Sequence, residues 1–146
     1  MGFYISKLTA PDSPTSDLTG KVYVVTGGAA GIGYHTSFNL LSRGATVLIG
    51  GRTPDKVKKV IEQLEIDHPE FKGRAKFFEM NFDTLQGAKE GAERVLGLVD
   101  RIDGLVNNAG RLAGAGPYEL SKDGIEMVCQ VKYGTAPRAP EKEEPD

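Results

Sequence analysis

The chain has 146 residues, the size of a single domain. Lys and Arg number 18 against 20 Asp and Glu, and the net charge of −2 excludes the basic footprint of a nucleic-acid binder and a polybasic membrane patch. A hydrophobic share of 39% places the chain among globular proteins, and its one cysteine, Cys129, excludes an internal disulfide and a cysteine zinc cluster.

Residues 1–17, with Pro11 and Pro14 set among Ser, Thr and Asp, read as a flexible lead-in arm. Met1-Gly2 with Ser6 fits the letter of a myristoylation pattern, but bulky Phe3 directly after the glycine favours a plain terminus. The arm lacks the apolar centre of a secretory signal. No run in the chain approaches the roughly 18–20 apolar residues of a membrane helix, so the expectation is a cytoplasmic protein with no membrane span.

An alternation of strands and helices follows. Residues 21–25 (KVYVV) are a β-branched run suited to a buried strand. A glycine-rich turn leads into a helix pattern over 32–43, stopped by Gly44. Residues 46–49 (TVLI) form a second buried strand. Thr53-Pro54 opens the next helix, with threonine as cap and proline in the first turn. Its apolar positions Val57, Val60, Ile61 and Leu64 share one face, and it ends before Pro69. A third strand starts at 75–78 (AKFF). A third helix carries Leu85, Ala88, Ala92, Val95, Leu96 and Val99 on one stripe, with Asp83 as its cap. A fourth strand is centred on 104–106 (GLV). Residues 120–131 predict the start of a fourth helix with Ile125 and Val128 facing inward, and Cys129 as a buried small hydrophobe. From Lys132 the character changes, and 132–146 read as a disordered Pro/Glu-rich tail. The spacings suit right-handed βαβ crossovers. The fold class expected is therefore α/β, a doubly wound parallel sheet over 18–131.

The turn Thr26-Gly27-Gly28-Ala29-Ala30-Gly31-Ile32-Gly33 joins the first strand to the first helix. A phosphate must approach bare backbone N–H groups there. Gly27 and Gly31 clear its path and allow positive φ, and Gly33 permits close packing of the helix. The helix N-terminus then offers free donors and a partial positive charge to a dinucleotide's pyrophosphate. At the end of the second strand, where such folds often carry an acid for the ribose hydroxyls, stand Gly50-Gly51-Arg52. A guanidinium there suits a 2′-phosphate, so NADP(H) is expected over NAD(H).

These residues resemble the short-chain dehydrogenase/reductase family. The resemblance is carried by Thr26-Gly27 with Gly31-Ile32-Gly33, by Gly51-Arg52, by Asn81-Phe82 after the third strand, and by Leu105-Val106-Asn107-Asn108-Ala109-Gly110, about 80 residues after the glycine turn. Residues 120–126 (LSKDGIE) look like the retinol-dehydrogenase branch. The resemblance implies a Rossmann-like sheet of order 3-2-1-4 and cofactor contacts from Thr26, Gly27, Gly31, Ile32, Gly33, Arg52, Asn81, Phe82, Asn108, Ala109 and Gly110. Asn81 stands where the family usually has an aspartate at the adenine amino group, and asparagine can accept the same hydrogen bond.

The likeness stops after Val131. The family's fourth helix carries a catalytic asparagine in a run like V-N-x-L-G-H-F, where this chain has Lys132-Tyr133-Gly134-Thr135. The family's serine and Tyr-x-x-x-Lys pair come later still. Tyr118 and Lys122 have the right spacing but follow the Asn107-Asn108-Ala109-Gly110 loop too closely and lack a partner serine. They read as loop packing and a solvated lysine. No catalytic or metal-binding residue is assigned, and His35 and His68 read as surface and helix-end positions. The expectation is the amino-terminal portion of an oxidoreductase acting on a small-molecule carbonyl or alcohol, about four strands long and inactive alone. Lys132 onward fits a splice product, a frameshift or a gene-model error. An edge left open at the fourth strand predicts association or aggregation through it. A non-catalytic NADP(H)-binding module and a non-functional fragment remain open alternatives.

Overall fold

The computed structural model describes residues 16–111 and 119–133. In chain order these form β1 (Val22–Thr26), α1 (Gly31–Ser42), β2 (Thr46–Gly51), α2 (Pro54–Asp67), a 3-10 turn at Pro69–Phe71, β3 (Ala75–Glu79), α3 (Leu85–Leu98), β4 (Gly104–Val106) and α4 (Met127–Tyr133). The four strands form one sheet in the order β3-β2-β1-β4, and every pairing is parallel. The short apolar runs become strands because helices shield both sheet faces, and the central strands β1 and β2 pair on both sides within the sheet.

One face carries Val25, Val47 and Ile49 against Leu41 of α1 and Val57, Ile61 and Leu64 of α2, with Phe71 closing the end. The other carries Val24, Leu48 and Phe78 against Val95 of α3 and Met127 and Val131 of α4. Arg74 locks the α2–β3 turn: its guanidinium donates to the carbonyls of Leu41 (2.7 Å) and Ala45 (3.1 Å) and lies over the Phe71 ring. Thr53 takes the N-cap position of α2 without a side-chain capping bond, and Pro54 fills the first turn.

The chain departs from the sequence expectation at three places. Thr84, not Asp83, caps α3: its Oγ1 accepts from the Gly87 N–H at 3.0 Å. The Asp83 N–H is meanwhile held by Asn81 Oδ1 at 2.9 Å, which fixes Asp83 in the preceding turn. The fourth helix starts at Met127 rather than near Leu120. Ser121 Oγ accepts from the N–H groups of Asp123 and Ile125, Gly124 takes a left-handed turn, and Leu120 bridges back to Glu126. This side-chain competition with the backbone breaks the helix. Glu126 then caps the first turn of α4, accepting from Val128 N (3.0 Å) and Cys129 N (2.8 Å). In that register Met127, Gln130 and Val131 turn inward, Ile125 and Val128 are half-buried, and Cys129 is exposed rather than buried. On α3, Val95 is buried while Leu85, Ala92 and Leu96 stay exposed. They line an apolar groove beside Ile102 and Leu105 of the β4 edge.

Candidate functional site

The chain runs β1 to β2 to β3 in one direction, then returns to the opposite side of β1 as β4. Such a reversal opens a crevice beyond the carboxyl ends of the strands. Here it holds a cavity of about 530 Å³, whose lining includes Gly27, Ala30, Arg52, Phe82, Asn108 and Gly110.

Gly27 and Gly31 have φ of +65° and +51°, a region that side chains disfavour. A methyl at Gly33 would collide with the Gly27 carbonyl oxygen and the Asn108 side-chain amide, so α1 begins as close to the turn as backbone permits. Ala30 at the N-cap of α1 offers no side-chain oxygen to the first-turn amides, and that turn holds no acid. Its N–H groups therefore face outward with the positive end of the helix dipole. Ile32, in the same turn, is 79% exposed.

Thr26 ties the turn to the segment after β4. Its buried hydroxyl accepts from Asn108 N (3.1 Å) and Ala109 N (3.0 Å) and donates to the Val106 carbonyl (3.3 Å). Asn108 returns the contact, donating from Nδ2 to the carbonyls of Thr26 and Gly27, each at 3.1 Å. Two stretches some 80 residues apart in sequence thus form one rigid rim.

The far wall comes from β2 and β3. Gly50 leaves room for the buried Phe78 ring, with which any Cβ would collide. Arg52 follows at the strand end and lies 3.7 Å from Asp83. Of the residues singled out from sequence, Gly27, Arg52, Phe82, Asn108, Ala109 and Gly110 line the cavity. Thr26, Gly31, Ile32 and Gly33 are not among its lining residues, Thr26 lining the apolar groove beside α3, and Asn81 turns its side-chain oxygen onto Asp83 N.

Ala30, Met80, Arg111 and Val131 also line the cavity without having been singled out. Arg111 directly follows the Asn-Asn-Ala-Gly run, a position that gave a signal in the sequence. It pairs with Glu119. The Glu126 carboxyl is held below its usual range by the N–H groups of Val128 and Cys129, with a further contribution from the Arg111 charge. Lys122 is exposed, and Tyr118, the other residue of that Tyr-x-x-x-Lys spacing, lies outside the described residues. No group of three metal-ligating side chains occurs among the described residues. No helix among them is long and apolar enough to cross a membrane.

The short chain dehydrogenase family model matches residues 21–135, which extends past Val131. An uncharacterized oxidoreductase of Schizosaccharomyces pombe is 37% identical over 134 residues, 90% of this chain and 37% of that one. The short chain dehydrogenase/reductase dpfgH of Gibberella zeae is 38% identical over 138 residues, 92% of this chain and 38% of that one. This chain thus spans a little over a third of the length of these relatives. Among solved structures, the Pseudomonas aeruginosa RhlG/NADP active-site complex is similar with a TM-score of 0.67 and 30% identity, over 82% of this chain and 44% of that one. A metagenomic short-chain oxidoreductase in complex with NADP gives a TM-score of 0.60 and 33% identity, over 70% and 44%. A parallel sheet of this order, a glycine turn clasped to an Asn-Asn-Ala-Gly loop, and a family match over most of its length lead to one assignment: the chain belongs to the short-chain dehydrogenase/reductase family.

Proposed function

We propose that this chain is the NADP(H)-binding portion of an oxidoreductase acting on a carbonyl or alcohol. The observation that carries the reading is Arg52, placed at the end of β2 on the wall of the same cavity as the glycine turn. The residues fit a dinucleotide. Bare backbone at Gly27 and Gly31 and the uncapped first turn of α1 suit its pyrophosphate. Phe82, Asn108, Ala109 and Gly110 supply walls for the nucleoside portions. Arg52 offers paired donors for a 2′-phosphate, which an acid at that position would repel. Two similar solved structures hold NADP. When bound, such a cofactor supplies hydride chemistry. The protein must then deliver a proton at the carbonyl oxygen. These 146 residues contain no serine and Tyr-x-x-x-Lys set matching the family's pattern. Binding without turnover of aldehydes or alcohols is therefore expected of this chain by itself.

Fluorescence titration with NADPH and NADH tests the cofactor reading. NADPH should bind more tightly, and Arg52→Ala should weaken NADPH by about tenfold or more, the worth of a charge-assisted pair, while leaving NADH nearly unchanged. Equal affinities in the wild type, or an unaltered ratio in Arg52→Ala, refute it.

A further inference from the structure

Resting on the cofactor reading above, we propose that Asp83 is a specificity-determining residue that narrows the preference for the 2′-phosphorylated dinucleotide by competing for Arg52. The juxtaposition follows from the sheet. β3 pairs with β2 so that Glu79 lies opposite Gly51, and the Met80 N–H donates to the Gly51 carbonyl at 3.1 Å. The loop leaving β3 therefore runs beside the residue that leaves β2, and Asp83 Oδ2 arrives 3.7 Å from Arg52 Nη1. Helix capping does not occupy this carboxylate, because Thr84 caps α3. Its backbone N–H is held instead by the Asn81 side chain, which keeps Asp83 in the turn beside the end of β2.

At 3.7 Å, with side chains 67% and 36% exposed, the pair is a long contact in water rather than a tight bidentate bridge. It holds Arg52 close to the strand end and releases it readily. A 2′-phosphate reaching the guanidinium must displace or share with Asp83, and it meets a like charge only a few ångströms away. A 2′-hydroxyl meets no such opposition and can donate to the carboxylate. Asp83 therefore weakens one cofactor form and tolerates the other.

The test uses adenosine 2′,5′-bisphosphate and 5′-AMP, which isolate the phosphate from the nicotinamide. Their affinities for the full 146-residue chain are measured by calorimetry at low and high salt, with folding checked by circular dichroism. Asp83→Asn, and Asp83→Ser as a second variant, should raise the bisphosphate-to-AMP preference by roughly three- to tenfold. The gain should shrink at high salt, a response that loss of a merely structural contact would not give. An unchanged preference overturns the inference, and so does a fallen one, which would make Asp83 a positioner of Arg52 for phosphate. If the folded wild type binds neither ligand, the cofactor reading fails and this inference falls with it.

Discussion

Replacing Thr26 by valine removes one hydroxyl and little volume. The residue is 3% exposed, so its environment cannot offer water in exchange. Three hydrogen bonds go: two accepted from the N–H groups of Asn108 and Ala109, and one donated to the Val106 carbonyl. A buried donor left without a partner costs about 1–3 kcal/mol. The Asn108 N–H and the Val106 carbonyl still bond each other at 3.0 Å, which leaves the half-buried Ala109 N–H as the donor that loses its partner, and a total of about 1–2 kcal/mol is expected. Against a usual domain stability of roughly 5–15 kcal/mol this is a large fraction. Urea unfolding followed by far-ultraviolet circular dichroism should show a lower midpoint with an unchanged slope. Thr26→Ser keeps the hydroxyl and should recover most of the loss. A valine variant that unfolds at the wild-type midpoint would refute the claim that Thr26 clasps the two halves of the rim.

Gly31→Ala separates folding from binding: a left-handed φ costs a side chain about 1–2 kcal/mol, yet the new methyl meets nothing within 4 Å. Stability measured by urea should fall by that modest amount, while dinucleotide affinity by fluorescence titration should fall by about tenfold or more. Gly50→Ala drives a methyl into the buried Phe78 ring and should lower stability by about 1–3 kcal/mol in the same unfolding assay. Acid should weaken the fold through Asp103, Asp17 and Glu126. The carboxyl of Asp103 is held low first by the Val22 N–H and then by Arg101 and Lys21, that of Asp17 by the Thr19 hydroxyl and N–H, and that of Glu126 by two amides at the start of α4. Groups with lowered folded values contribute stability that is present above the ordinary carboxylate range near 4 and is lost as pH falls through the lowered values. The urea midpoint should therefore drop below about pH 4, and Asp103→Asn should flatten that drop.

The strands were legible because β-branched apolar runs bounded by glycine leave few alternatives, and the site was legible where backbone itself does the work. Gly27 and Gly31 announce bare amide groups whatever surrounds them. Side-chain assignments were less secure. Asp83 and Thr84 are both capping residues, and spacing cannot choose between them. The Asn81 side chain decides by fixing Asp83 one residue outside the helix. The apolar spacing over 120–131 suits a helix, but Ser121 and Gly124 are turn formers whose local bonds win over periodicity. That delayed start sets the register of α4 and carries Cys129 to the surface. The Arg52–Asp83 contact depends on the β2–β3 register, which no local pattern encodes.

β4 contributes only three residues to the sheet, Gly104 to Val106, each paired with β1, and its Leu105 is 55% exposed. So short an edge strand is weakly held by its ladder. Its position is set instead by side chains at its two ends. Before it, Asp103 accepts from the Val22 N–H at 2.9 Å and returns its own N–H to the Val22 carbonyl at 2.8 Å, with Lys21 and Arg101 beside the carboxylate. After it, Thr26 and Asn108 clasp each other across the crevice. The Asn108-Ala109-Gly110 wall of the cavity is therefore only as well placed as these two clamps. Weakening the distant one, by acid or by Asp103→Asn, should loosen the wall as well as the strand, so dinucleotide affinity should decline at a milder pH than the one that unfolds the sheet. A site whose affinity held constant up to the unfolding transition would show that the Thr26–Asn108 clasp alone fixes the rim.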